Sequence, residues 1–330
     1  MPLRCIIRHG GRMVLRPMLD ALAIPLGYLA RRIQASDEPR QQEWEHHRNQ
    51  VTAYLAGAAI RDHQLLQRSL ADELAAVQAA MRARTPDNPA CHGYKVYSQA
   101  DEDGILAHIL SLLDGAPRTV IEIGCGDGSE NNSAYLAAQG YRVCWCDASA
   151  INIAAIARGL GGLEFPRLLV VQRFLDQENV KAYIGECLAF LKTSDITVLS
   201  VDIDGNDLPV TLAALTACTP RVLCVEYNAA FPPPVSLQMA YDPTYQWQLD
   251  DYQGASVQAW CDALPQYRLV ACSASGVNAF FVQRDLAGPF AEYPVSALYE
   301  PPRHRLIALR AGHRPSLKWV RQAVTTYATS

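Results

Sequence analysis

The sequence predicts an α/β fold in which a mostly parallel sheet is covered by helices on both faces and ends on an antiparallel last strand. Three features predict it. Short apolar runs alternate with helical patterns from residue 91 onward, the rhythm of parallel strands and crossover helices. One of those runs passes straight into a glycine-rich turn that opens a helix, a ready anion or cofactor cradle. The last two runs are joined only by residues 272–278, too few for a helical crossover, so those strands pair antiparallel.

Before the sheet, residues 1–40 form a basic arm carrying Arg4, Arg8, Arg12, Arg16, Arg31 and Arg32 against Asp20 alone. Its apolar stretch, 19–30, is too short to span a bilayer and is interrupted by Asp20 and Pro25. The arm either touches an anionic membrane face or packs on the protein. Residues 41–90 are a helical extension. Val51, Leu55, Ala58, Asp62, Leu66, Leu70, Leu74, Val77 and Met81 recur at three- and four-residue steps, and Pro86 and Pro89 stop the helix. Such a helix pairs with a second copy as a homodimer or braces the domain that follows; Asp62 on the stripe and the many alanines favour the brace.

Residues 91–330 make up the α/β domain, with seven strands predicted at 119–123, 142–146, 168–172, 196–202, 222–226, 268–271 and 279–283. Helices are predicted at 101–113, 129–139, 151–158, 179–191, 208–217 and 256–264. The bulk composition, 50% hydrophobic and 19% charged, is that of a globular protein. A net charge of −4 argues against a nucleic-acid partner, which would need a broad basic surface. Ten cysteines are scattered without a CxxC pair, which points to buried thiols in a reducing, cytoplasmic setting and no zinc site.

The chemistry concentrates at strand ends. The first strand reads Val120-Ile121-Glu122-Ile123 and runs into Gly124-Cys125-Gly126-Asp127-Gly128, glycines that let a backbone approach a ligand closely. A dinucleotide site would want GxGxxG here, whereas this spacing is GxGxG. About twenty residues on, the second strand ends at Asp147, where Rossmann-like folds set an acid against ribose hydroxyls; its alternative role is capping the next helix. Asp176 and Asn179, after the third strand, either flank an adenine or cap a helix, and capping is favoured. On the fourth strand Asp202 and Asp204 share a side by period-two alternation, and the fifth ends in Glu226-Tyr227-Asn228. Ligands of open sheets bind beyond the carboxyl ends of strands, so these groups converge. Paired carboxylates there raise one another's pKa or share a divalent cation.

The run EIGCGDG resembles the first motif of class I S-adenosylmethionine methyltransferases. The chain as a whole resembles the FkbM-like methyltransferases, in a branch associated with glycan and polysaccharide biosynthesis. The matching pieces are Tyr97-Ser98-Gln99-Ala100-Asp101-Glu102-Asp103-Gly104, EIGCGDG followed by Ser129-Glu130-Asn131-Asn132-Ser133, and Ser200-Val201-Asp202-Ile203-Asp204-Gly205-Asn206-Asp207. Glu226-Tyr227-Asn228, Gly254-Ala255-Ser256 and Gly276-Val277-Asn278-Ala279-Phe280-Phe281 follow. Together they span about residues 94–285, leaving 1–90 outside. The resemblance implies S-adenosylmethionine as cofactor, wrapped by Gly124, Gly126 and Gly128, with Glu122 and Asp127 near its ammonium and Asp147 on its ribose. It further implies O-methylation of a hydroxyl, on a sugar of a glycan or on a secondary metabolite.

An alcohol is a poor nucleophile, so Asp204 is expected to take its proton, with Glu226 and Asp202 orienting it or holding a metal. Asn206, Asn228 and Asn278 suit the hydroxyls of a polyol acceptor. The insert 231–247, rich in Pro, Tyr and Trp, is expected to form a lid. A nicotinamide-dependent dehydrogenase is weighed against by the glycine spacing, and a non-catalytic methyltransferase-like subunit by the intact loop and acidic strand ends.

Overall fold

The structure, a computed structural model, describes residues 38–308 and 316–326, with side chains from residue 44 onward. The arginines assigned to the basic arm lie outside the described residues. Helix α1, Glu38–Arg84, is continuous, and the chain divides within it into two units, residues 1–71 and 72–330. No helix among the described residues is long and apolar enough to cross a membrane.

In the second unit the stripe on α1 is progressively covered, from the half-buried Leu74 and Val77 to a fully buried Met81. Thr85 and Asn88 close the helix end. The Asn88 side chain accepts from the Ala90 amide at 2.9 Å and so opens the short 3₁₀ turn Pro89–His92. Helix α2, Glu102–Ser111, then leads into the sheet.

The sheet has eight strands: β1 Thr119–Ile123, β2 Arg142–Asp147, β3 Glu164–Phe165, β4 Leu168–Gln172, β5 Val198–Val201, β6 Val222–Glu226, β7 Tyr267–Cys272 and β8 Asn278–Gln283. Their spatial order is β3-β4-β2-β1-β5-β6-β8-β7. Strands β4, β2, β1, β5 and β6 pair parallel, while β8 is antiparallel to both its neighbours. This is the mostly parallel, Rossmann-like sheet with an antiparallel last strand that the sequence predicts, with one strand more than the seven expected. The addition, β3, is a two-residue antiparallel partner of β4, too short to leave a period in the sequence.

Helices α3 Ala134–Ala138, α4 Ala150–Leu160, α5 Val180–Leu191, α6 Asp207–Ala214, α7 Val257–Ala263, α8 Val295–Leu298 and α9 Lys318–Thr325 complete the unit. One sheet face, with Ile121, Ile123, Cys144, Leu199, Val201, Leu223, Val225 and Phe281, packs against Ile184, Leu208 and Trp260 of α5, α6 and α7. The central strands β1, β5 and β6 are buried along nearly their whole length and read as mostly apolar runs. Nine described cysteines are free thiols, eight of them buried, as small apolar packing residues.

Candidate active site

The glycine turn is fixed by backbone geometry. Gly124, Gly126 and Gly128 all have positive φ, at 87°, 57° and 77°, a region closed to most side chains. At Gly124 there is a second constraint, since an added Cβ would lie 1.6 Å from the Asp202 carbonyl oxygen. The turn is thus pressed against the end of β5. Around Gly126 the situation is the reverse: a Cβ there would meet no heavy atom within 4 Å, so its backbone faces open space.

Asp147 closes one side of that space. Its Oδ2 accepts from the Gly126 amide at 2.8 Å, and its Oδ1 from the Ser149 amide at 2.8 Å and the Asn152 Nδ2 at 3.1 Å. It therefore ties the glycine turn to the start of α4, while Ser149 itself caps that helix. Oδ1 is thus filled by two donors, whereas Oδ2 keeps a second lone pair to offer, and Asp147 is half-buried. Asp127 accepts from the Ser129 amide at 2.9 Å and shapes the end of the turn.

Glu122 faces the segment after the turn. It accepts from Asn131 Nδ2 at 2.8 Å, the Asn132 amide at 2.7 Å, the Ser133 amide at 3.1 Å and the Ser133 hydroxyl. Residues 131–133 are spent on this carboxylate, which explains why α3 starts at Ala134 and not at the predicted 129. Burial pushes Glu122 up to about 7 despite those donors, and burial likewise pushes Asp103 up to about 6. An acid whose folded pKa is raised keeps its proton longer in the native state. Its contribution to stability is complete below the unfolded value, 4.5 for Glu122, and is lost as pH rises through about 7. Wild type is therefore expected to lose on the order of 1–3 kcal/mol relative to Glu122→Gln between pH 4.5 and 8. Denaturant titrations across that range check this, and parallel pH profiles would count against it.

Beyond the glycine turn the structure brings Asp202, Asp204 and Glu226 together, one carboxylate oxygen of each lying within 4.8 Å of the others. Strand register explains Asp202 and Glu226: Val201 pairs with Val225, so the next residues leave the same face side by side. Asp204 reaches them from a turn where it holds a left-handed φ of 56°, a conformation Asp tolerates better than most residues. Asp207 builds that turn, accepting from the Ile203 amide at 2.7 Å and the Gly205 amide at 2.8 Å. Burial and the neighbouring carboxylates push Asp202 and Glu226 well above the usual carboxylate range.

The three asparagines are placed differently from one another. Asn206 donates to the Asp242 carbonyl at 2.7 Å, and Asn228 to the Asp251 and Gln253 carbonyls, both at 2.9 Å. Asn206 is thus tied to the insert and Asn228 to the residues that follow it. Tyr245 of the insert lies against Gly205, where a Cβ would come within 2.6 Å of its ring. Asn278 lies opposite Glu226 across the β6–β8 ladder and donates to Glu102 Oε1 at 3.4 Å.

Sequence reading assigned no role to Asp207, Glu102 or residues 131–133. For Asp207 a signal exists, since an Asp opening a helix after a Gly-Asn pair often bonds local amides. Glu102 gives none: three successive acids, Asp101 to Asp103, suggest a solvated helix start, yet all three are buried.

No family model and no curated protein matches the sequence. Among solved structures the chain is similar to a Listeria monocytogenes protein assigned as an S-adenosylmethionine-dependent methyltransferase, at 12% identity. That match covers 54% of this chain and 97% of the other, with a TM-score of 0.34. The glycopeptide N-methyltransferase MtfA, complexed with S-adenosyl-L-homocysteine, is 11% identical, covering 62% and 96% at a TM-score of 0.33. The antibiotic-resistance methyltransferase Kmr is 15% identical, covering 54% and 92% at a TM-score of 0.30. Likenesses of this size carry no functional argument, and a shared fold does not transfer an activity.

Proposed function

We propose that this chain is an S-adenosylmethionine-dependent O-methyltransferase acting on a hydroxyl, with a sugar of a glycan or glycoconjugate as the acceptor class. The observation that carries the reading is the glycine turn, its backbone open at Gly126 and flanked by Asp147, set directly against the carboxylates at the ends of β5 and β6. The residues present fit the cofactor: the open backbone accommodates its methionine part, and the remaining lone pair of Asp147 Oδ2 suits a ribose hydroxyl. Bound there, it supplies a methyl group on a positively charged sulfur.

The protein's own part is positioning and proton removal. As the acceptor oxygen forms its bond to carbon, the carbon–sulfur bond breaks with its electron pair, and the hydroxyl proton must leave. The carboxylate cluster receives it, with Asp204 foremost as the member carried on a turn beyond the strand end. Holding oxygen and methyl in line contributes as much as the base does. The resemblance to FkbM-like enzymes in segments 97–104, 200–207 and 276–281 supports the same reading.

Isothermal titration tests the cofactor assignment. Wild type is expected to bind S-adenosylmethionine and not NAD, and Asp147→Ala to bind it about 10–100-fold more weakly, equivalent to roughly 1.5–3 kcal/mol. Cooperative unfolding should survive in the variant, because Ser149 caps α4 independently. Unchanged affinity would remove Asp147 from the site, and no affinity in wild type would remove the reading. Labelled cofactor added to extracts of the native host then identifies the acceptor as the glycan that gains label.

A further inference from the structure

Strands β5, β6 and β8 lie side by side, and at their shared end Asp202, Glu226 and Asn278 form a row. Val201 pairs with Val225, which puts Asp202 level with Glu226, and Glu226 pairs directly with Asn278. Directly opposed residues leave the same face of a sheet, so all three side chains enter one space, with Asp204 joining from its turn.

Two oxygens in this row lack any hydrogen-bond donor: Glu226 Oε2 and Asn278 Oδ1, both buried. Asn278 is only 1% exposed. Its amide orientation follows from Glu102, whose Oε1 accepts from Nδ2; flipping the group would set two oxygens against each other. A carboxylate oxygen and an amide oxygen, adjacent and without donors, are each costly to bury unless something positive lies between them. Asp202 and Glu226 hydrogen-bond each other, and the other charged groups acting on them are also acids, Asp204 and Asp207 for both and Glu122 for Asp202.

We propose that Asp202, Asp204, Glu226 and Asn278 hold a divalent cation of the Mg²⁺ or Mn²⁺ class. The donors are all oxygen, three of them carboxylate, which is the set hard cations select. The carboxylate oxygens lie within 4.8 Å of one another. In an octahedral set with bonds of about 2.1 Å, adjacent ligands stand about 3.0 Å and opposite ones about 4.2 Å apart, so small side-chain movements bring the carboxylates onto one ion. Four protein oxygens leave positions for water or for an acceptor hydroxyl, whose proton a cation would loosen. The proposal stands on this geometry and does not require that the reaction be methyl transfer.

Mn²⁺ itself is the probe, titrated into the chelator-treated full-length chain and followed by electron paramagnetic resonance, with S-adenosylmethionine titrated in parallel. One bound Mn²⁺ is expected. Glu226→Gln and Asp202→Asn should each weaken it by at least the roughly 10–100-fold that loss of a supporting partner costs. Asn278→Asp, nearly isosteric and adding a fourth carboxylate, should tighten it, and this variant remains informative if the other two fail to fold. No uptake by folded wild type, or uptake indifferent to the substitutions, overturns the proposal. S-adenosylmethionine binding without Mn²⁺ uptake would remove the cation alone, whereas Mn²⁺ uptake without cofactor affinity would remove the methyltransferase reading alone.

Discussion

Replacing Asp204 by Asn is expected to cut turnover about 100-fold or more, the usual consequence of losing a general base, while S-adenosylmethionine affinity stays near wild type. The structure favours Asn as the test residue for a backbone reason. Asp204 sits at a φ of 56°, and Asn shares with Asp an unusual tolerance of that region. The turn itself is built by Asp207 through the Ile203 and Gly205 amides, so it does not depend on the side chain at 204. Ala at the same position would add a left-handed penalty of roughly 1–2 kcal/mol and confuse chemistry with strain.

Single-turnover rates on the true acceptor, measured beside cofactor affinity, check this expectation. Partial rescue of Asp204→Asn by excess Mn²⁺ would assign the loss to a weakened cation site, and a loss indifferent to Mn²⁺ would assign it to the proton acceptor. Turnover equal to wild type would leave Asp204 no part in the chemistry.

The parts of this site that were legible in the sequence are those fixed by short-range rules. Strand limits at 119–123 and 222–226 coincide with the structure because strands buried on both faces are dominated by apolar residues, and 168–172 coincides on an apolar run whose alternate residues are only half-buried or exposed. The acids at 202 and 226 were legible as strand ends, and their meeting follows from register alone. Asn206 and Asn228 show where such reading stops. An exposed-looking asparagine after a strand is equally consistent with a sugar ligand and with a clamp on a loop, and only the insert's path decides between them. Asn278 is a harder case still. Its partner Glu102 lies 176 positions away, and nothing local marks three consecutive acids as buried.

The glycine turn offers a pair of substitutions that separate folding from binding. Gly124→Ala is expected to destabilise the fold by roughly 2–5 kcal/mol, the sum of a left-handed penalty and overpacking. The added methyl would meet the Asp202 carbonyl at 1.6 Å, and that carbonyl belongs to backbone anchored by the Asp202 amide on Ile123 at 3.0 Å. Neither side can yield without parting β1 from β5 at the site. At about 2–4 °C per kcal/mol for a domain of this size, the melting temperature should fall by roughly 10 °C. Gly126→Ala carries only the left-handed penalty, about 1–2 kcal/mol, because its methyl enters open space. That space is where the cofactor is assigned, so Gly126→Ala should lose most S-adenosylmethionine affinity while melting within a few degrees of wild type. Thermal melts and titrations on the two variants therefore give opposite patterns if the turn cradles a ligand. A Gly126→Ala protein that binds S-adenosylmethionine like wild type would place the cofactor elsewhere.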